Sequence, residues 1–589
     1  MHRISMIKVQ NFKSIKDAEF HLSPYTPLVG YNNAGKTNIL QSLSWIVKKT
    51  SLQAGDFFDP AQPITVTAEI SGIDAGVLDA LGGQHRQRIE PFVVDGKISI
   101  RRTQLEPAQS TTAIRFEVLS DANGWVVNPA GIDPAIAHLF PEPISIGAME
   151  NATDDVGKYA AGTTIGKLIK EIVDDVAARN AGQVTAALAD VASRLSADGA
   201  AKDETLVNLD VRIQTELSKF FPGVTAKTHI QVPEFGDFLK SATIKIYDNQ
   251  YDNANGRDAS SFGHGAQRSV PIALIKCLSE IKRAAAANAA RTTLLLIDEP
   301  ELYLHPQAIE LVRAALSRLS AEGYQVVFST HSANMIARSD AENVLLIRRT
   351  AADGTESIPR LQDAVRTAIA DAAHQSEIIF SLSNSVKVLF CEKLLLAEGK
   401  TERVLLPDLF AHEHGVSLDE DKLGLIDLEG STNIPNALKV LAAMGTPTKA
   451  IVDLDFVFKV APQAGMIPAN DAALLACKAI FTRLAAAGRV QLDAEGLPEK
   501  WMNGPAAVGY SLMAAEPDAP AHIDVLHTHM LGHRVWVWKK GAIEVHLGLG
   551  SKSAAAHLAF LNSFSAPAFR AGLPDYVGLQ AMFAWARLP

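Results

Sequence analysis

The chain is poor in cysteine: three in 589 residues, Cys277, Cys391 and Cys477, far apart and with no CxxC among them. That scarcity excludes a disulfide framework and a thiolate zinc cluster and fits a reducing compartment. Long hydrophobic runs are also missing. No window reaches about 18 uninterrupted apolar residues, so no membrane-spanning helix and no membrane partner are expected. The opening MHRISMIKVQNFKSI alternates apolar and polar residues where a secretory leader needs an apolar core, which makes a cytoplasmic location the expectation. Collagen-like, mucin-like and low-complexity segments are absent, so nothing in the composition forces disorder. Nor is positive charge in excess: a net charge of -10 weighs against a protein that coats nucleic acid through its overall field. Local basic grooves stay open. Candidates are Lys393, Lys400 and Arg403, and then Arg534, Lys539 and Lys540 in HRVWVWKKG, a run that a solvated strand edge explains almost as well.

What is present is ordinary globular composition, 47% hydrophobic and 20% charged. The length predicts several cores, roughly three to five domains. In TPLVGYNNAGKTNIL a short apolar strand precedes GxxxxGKT and an apolar-periodic segment follows it, the context a P-loop requires. Gly30, Asn33 and Gly35 belong to a loop whose backbone N–H groups close around phosphate, Lys36 neutralises the β- and γ-phosphates, and Thr37 offers its hydroxyl to Mg2+. ATP is the expected cofactor. Such a site also needs an acid at a strand end and a base to orient water. RTTLLLIDEPELYLHP supplies Asp298 for the first role and Glu299 for the second, and QVVFSTHSANMI sets His331 where a strand gives way to a helix, placed to sense the γ-phosphate. About thirty residues ahead of the acidic strand, SSFGHGAQRS carries Gly263, Gly265 and Gln267 at the start of a helix, a glycine-lined anion site. Between P-loop and SSFGHGAQRS lie about two hundred residues, too many for one connection. Apolar positions at three- and four-residue spacing over residues 153–222 predict an inserted, compact helical hairpin, whose apolar stripe either dimerises or packs on its own lobe.

After the turn-rich TAADGTESIPRLQD a new apolar strand begins. LLLAEG ends in Glu398 and leads into a helix bearing Glu402, four residues on and able to face the same site. KLGLIDLEGSTNI and KAIVDLDFVF follow. The last reads as a buried strand, on which Asp453 and Asp455 would share one face. Two like charges there are costly without a partner, and a divalent cation would supply one.

The order of the first set of motifs resembles the ABC-type ATPase heads of chromosome-condensing and double-strand-break-repair ATPases, in which a glycine-rich signature completes the nucleotide site of the opposite protomer. Here His264 stands where those relatives usually have serine, and the heptads of their very long coiled coil are not sustained. EGKTE, a DLEGSTNI-like turn and DLD, in that order, look like a Toprim fold. The whole chain resembles the Overcoming Lysogenization Defect (OLD) family of bacterial and phage nucleases. The fold this implies is α/β, an ABC-type P-loop ATPase head with a helical dimerisation insertion followed by a Toprim Rossmann-like parallel sheet. Its expected parts are residues 1–152 and 223–375 for the ATPase, 153–222 for the insertion and 390–589 for the Toprim domain.

By the same resemblance Glu398, Glu402, Asp453 and Asp455 are ligands of two divalent ions, Mg2+ or Mn2+, and a late lysine steadies the transition-state phosphate. Lys552 in GLGSKSAAAH is the candidate for it, with Lys539 and Lys540 as alternatives. Glu429 and Ser431, on the loop after LIDL, could approach the metals, and Glu544 is close to Lys552 in sequence. The implied activity is ATP-regulated, metal-dependent DNA nicking by a homodimer or larger homo-oligomer, in DNA processing or anti-phage defence. A helicase partner is a further option, because Gabija-type systems use relatives of this family. The competing expectation is a nucleotide-switched DNA clamp with an inactive Toprim scaffold. Retention of all four carboxylates favours the enzyme, since unpaired buried acids only destabilise.

Overall fold

The computed structural model describes residues 2–140, 143–147, 182–183, 185–221, 223–232, 245–247, 256–258, 261–262, 270, 273–274, 277, 292–383, 386–500 and 504–588. The signature residues Gly263, Gly265 and Gln267 and most of the first half of the expected insertion lie outside them. The chain divides into two compact units. One comprises Met1–Thr26, Gly35–Met335 and Ala351–Thr355; the other comprises Pro27–Ala34, Ile336–Thr350 and Glu356–Pro589.

In the first unit, six strands pair antiparallel in the order Gly124–Val127, Arg115–Ser120, Lys97–Gln104, Ile64–Ser71, Arg3–Phe12, Ile15–His21. ITVTAEIS shows why: its even-spaced Ile64, Val66, Ala68 and Ile70 are buried and the residues between them are not, the pattern of a strand with one face in the core. TLLLID, Thr293–Asp298, and YQVVFST, Tyr324–Thr330, are instead buried at every position. These two pair parallel, with Asp298 opposite Ser329, and continuous burial is what a parallel sheet covered on both faces demands. The helix Pro306–Ala321 packs over them through Ile309, Val312, Leu316 and Leu319, its apolar stripe at three- and four-residue spacing. Within the expected insertion, residues 185–195 are helical and a helix follows at Glu204–Leu217, started by the Asp203 carboxylate accepting from the Thr205 N–H.

The second unit holds a four-stranded parallel sheet in the order Leu423–Asp427, Lys393–Ala397, Thr448–Val452, Val535–Val537. Alternation along KLLLA sends Leu394 and Leu396 into one hydrophobic cluster, with Val440, Leu441 and Val452, and Leu395 and Ala397 into another, with Leu405, Leu409 and Phe410. The first of these strands in sequence has the next two on either side of it. Strand order therefore reverses at its carboxyl end, where α/β sheets place their ligand sites.

Candidate active site

At that carboxyl end the strand Lys393–Ala397 delivers Glu398, and the helix Lys400–His414 begins with Glu402 buried in its first turn. The neighbouring strand Thr448–Val452 delivers Asp453. The Asp453 N–H donates to Glu398 Oε2 at 3.2 Å, and Asp453 Oδ1 accepts from the Ile543 N–H at 3.1 Å, at the start of the helix Ile543–Leu547 that carries Glu544. Glu544 Oε1 takes the Thr401 hydroxyl at 2.5 Å and lies 3.0 Å from Lys552 Nζ, while its Oε2 is buried with no hydrogen-bond partner among the described residues. Asp455 pairs with Lys459 at 3.0 Å, and the Ser431 hydroxyl bonds Glu398. Glu398, Glu402, Asp453, Asp455, Ser431 and Lys552 are thus drawn together. Glu429 is exposed, its N–H donating to Asp427. Lys539 and Lys540 are held elsewhere, by Asp524 and by the Pro574 carbonyl.

Asp453 and Asp455 do not share a strand face. The strand stops at Val452, the Phe456 N–H closes a turn onto the Asp453 carbonyl, and Asp455 caps the short helix Phe456–Lys459. Alternation of faces ends where the extended backbone ends.

Electrostatically the cluster is uncompensated. Burial pushes Asp453 well above the usual carboxylate range, reinforced by Glu402, Glu398, Glu544 and Asp455. Burial likewise raises Glu402 to about 8, with Glu544 and Glu398 adding to it. Glu398 is raised by burial and by Asp455, against bonds from the Asp453 N–H and Ser431. Burial opposes the charge on Lys552, yet its bond to Glu544 and the nearby Asp453 and Glu402 hold it above the ordinary lysine range. Among the described residues no group of three or more His, Cys, Asp or Glu side chains is arranged to hold a metal ion as it stands. The donor set nonetheless fits a hard divalent ion: all oxygen, mutually repelling, and with one buried carboxylate oxygen unpaired.

The P-loop is built differently. Gly35 has φ 102°, and a Cβ there would strike the Thr355 and Ser14 hydroxyls. Gly30 is equally confined, by the Ile347 carbonyl. Asn33 adopts φ 64°. Lys36 opens the helix Lys36–Val47, with Lys36 Nζ donating to His331 Nε2 at 2.8 Å. Thr37 Oγ1 donates to Asp298 Oδ2 at 2.8 Å, and Ser329 Oγ donates to Asp298 Oδ1. Glu299, at φ 49°, lies 3.4 Å from His331 Nε2. Glu301 accepts from the Thr330 hydroxyl and the His331 N–H. Burial lowers His331, and the Lys36 charge lowers it further, which keeps the ring neutral. Ser329, Glu301, Thr401 and Lys459 receive no role from the sequence patterns and gain their partners only through the fold. Ser329 could have been inferred from pairing the two buried strands in register.

These features define a class: a P-loop ATPase with a Toprim-type parallel sheet in its C-terminal part. A family model described as "Overcoming lysogenization defect protein-like, TOPRIM domain" matches residues 389–455, and one for an AAA ATPase domain matches residues 3–92 and 150–336. The Old nuclease of Escherichia phage P2 is 32% identical over 553 residues, 93% of this chain and 94% of that protein. The OLD nuclease of Thermus scotoductus is 20% identical over 465 residues, 77% and 82% of the two chains. An SMC head, solved bound to the C-winged helix domain of ScpA, covers 60% of this chain and 96% of its own at 14% identity and a TM-score of 0.37. The chain belongs to the OLD family, ATPase and Toprim parts included. Glu544 and Lys552 lie beyond the end of the Toprim match. Among the described residues no helix is long and apolar enough to cross a membrane.

Proposed function

We propose that this protein is a divalent-metal-dependent DNA nuclease that nicks its substrate at the Toprim cluster and carries a separate ATPase site at its P-loop. The observation that supports it most is the convergence of Glu398, Glu402, Asp453 and Glu544 on one strand-end site with Lys552 3.0 Å from Glu544. Glu398, Glu402, Asp453 and Asp455 would hold two Mg2+ or Mn2+ ions, with Ser431 and Glu544 beside them. Bound cations supply Lewis acidity at the scissile phosphate and lower the pKa of an attacking water. Lys552, kept protonated by Glu544, offsets the charge that develops on the phosphate oxygens. Burial and the neighbouring Glu544 and Glu398 raise Glu402 to about 8, and cations held here would favour its ionised form. Ile543 and Thr401 fix Asp453 and Glu544, so two of the carboxylates meet the substrate in set orientations.

In the ATPase site, Thr37 and Asp298 would hold the ion that accompanies ATP, Lys36 would exchange His331 for the γ-phosphate, and Glu299 would orient water. Exposed Val211, Phe220 and Phe221 in and just after the helix Glu204–Leu217 support a homodimer formed there. The test is incubation of supercoiled plasmid with purified protein, with Mg2+, Mn2+ or EDTA, with and without ATP. Nicked circles that require metal are expected. Cutting that persists in EDTA, or no cutting under any condition, would refute the proposal.

A further inference from the structure

The amino ends of the same four parallel strands form the opposite edge of the sheet from the carboxylates, and a cavity of about 400 Å³ opens there. Three cations line it: Lys393 at the start of one strand, Lys449 near the start of the next, and Arg534 immediately before the last. Like charges in one cavity repel, and the effect is visible at Lys449, lowered by burial and then by Lys393 and Arg534. Among the described residues little offsets them. Lys449 Nζ donates to the Trp585 and Leu588 carbonyls, both at 2.7 Å, and these are neutral groups. Lys393 Nζ donates to the Arg587 carbonyl at 3.4 Å and lies 3.9 Å from Asp421 Oδ2, a carboxylate it shares with Arg587, which donates to Asp421 Oδ1 at 3.0 Å. Arg534 is exposed, and among the described residues its guanidinium has no hydrogen bond or ion pair. It also sits at φ 62°, a conformation glycine would adopt without strain. The walls between the cations are apolar, from Leu394, Leu423 and Ala586.

Among the described residues these three cations have one shared carboxylate, so the charge has room for an anion. The cavity exceeds what a bare inorganic ion needs and falls in the range of small-ligand sites. An apolar body with an anionic head, of the size of one nucleotide, matches both the walls and the cations.

We propose that this cavity binds a nucleotide carrying a phosphate monoester, either free in solution or as the phosphorylated end of a DNA strand. Arg534 and Lys393 take the phosphate, with Lys449 behind them, and the apolar walls take the sugar and base. The site is independent of the cleavage chemistry, because no residue is shared with the carboxylate cluster.

The test uses full-length protein with Lys36→Ala, so that the P-loop does not compete, in EDTA and low salt. The probes are deoxyadenosine monophosphate against deoxyadenosine by calorimetry, and a 5′-phosphorylated against a 5′-hydroxyl dodecanucleotide by fluorescence anisotropy. At least one phosphorylated probe should bind about tenfold more tightly than its partner, and Arg534→Gly and Lys393→Met should each remove most of that preference. Preference for the monophosphate alone identifies a free nucleotide, and preference for the oligonucleotide alone a strand end. Arg534→Gly suits the local backbone, so unchanged thermal unfolding is expected and separates lost binding from lost structure. Equal binding of phosphorylated and unphosphorylated probes, or a preference that survives both substitutions, would overturn the proposal.

Discussion

At the nucleotide site Asp298 receives two hydroxyl hydrogen bonds, from Thr37 and Ser329, and Lys36 lies among Glu299, Asp298 and Glu301, which favour its charge against burial. At the Toprim cluster Asp453, Glu402 and Glu398 face one another and Glu544, with Lys552 and Lys459 only at the margins. One site brings its own cation to its acids. The other gathers more negative charge than its lysines offset, so that protons occupy it when metal does not. The first is organised before ligand arrives; the second favours the protonated forms of its acids until an added cation offsets their charge.

The largest effect should come from removing the most deeply buried carboxylate of the cluster. Asp453→Asn should lower plasmid cleavage by about three orders of magnitude or more while leaving phosphate release from ATP within about twofold of wild type. A parallel fall in both rates would mean that the two sites are not chemically distinct. Lys36→Ala is the converse case: it should abolish ATP hydrolysis and leave metal-dependent nicking detectable by gel, whereas folded, metal-bound protein that cuts nothing would tie cutting to ATP turnover.

Lys552→Ala should reduce cleavage by about 10²–10³, the usual loss when one transition-state charge partner is removed. Lys539→Ala and Lys540→Ala should change cleavage by less than about threefold if their distant partners are a guide. Comparing the three variants in one assay tests which late lysine acts.

The pH dependence of stability sharpens the contrast further. Glu402, raised from 4.5 to about 8, keeps its proton in the folded chain where the unfolded chain has lost it. Between about pH 4.5 and 8 this group therefore makes the metal-free protein less stable as pH rises. The melting temperature in EDTA should fall across that window more steeply for wild type than for Glu402→Gln, and added Mn2+ should reduce the fall. Identical slopes for the two proteins would contradict the buried, raised carboxyl. A further modest effect is expected at Ser329→Ala, which frees one oxygen of Asp298 and should raise the Mg2+ concentration needed for ATP hydrolysis by about tenfold, with plasmid cutting unchanged.

Much of this was legible in the chain because it is local. The P-loop, the buried TLLLID run ending in Asp298 and the EGKTE turn each compress strand, turn and helix into a few residues, and backbone chemistry dictates the result. The pairing of Asp453 with Asp455 on one strand face failed because alternation says nothing about where a strand stops: it ends at Val452, before either aspartate, and a turn hydrogen bond from Phe456 follows. Glu544 and Lys552 fall in a region without a motif, and their place against Glu402 depends on a helix that returns to the sheet after the fourth strand. Thr401 illustrates the same limit. Its neighbour Glu402 announces itself by spacing, while the bond from Thr401 to Glu544 spans 143 residues of sequence.

The most direct test of the central claim, that the Toprim carboxylates form a protonated cluster awaiting a divalent cation, is calorimetric titration of Mn2+ into nucleotide-free protein at pH 7 in buffers of different ionisation enthalpy. The account predicts release of about one proton or more as the cation binds, since Glu402 and Asp453 must ionise to ligate it, and loss of both binding and release in Asp453→Asn. Binding without proton release, or a titration that Asp453→Asn leaves unchanged, would contradict it.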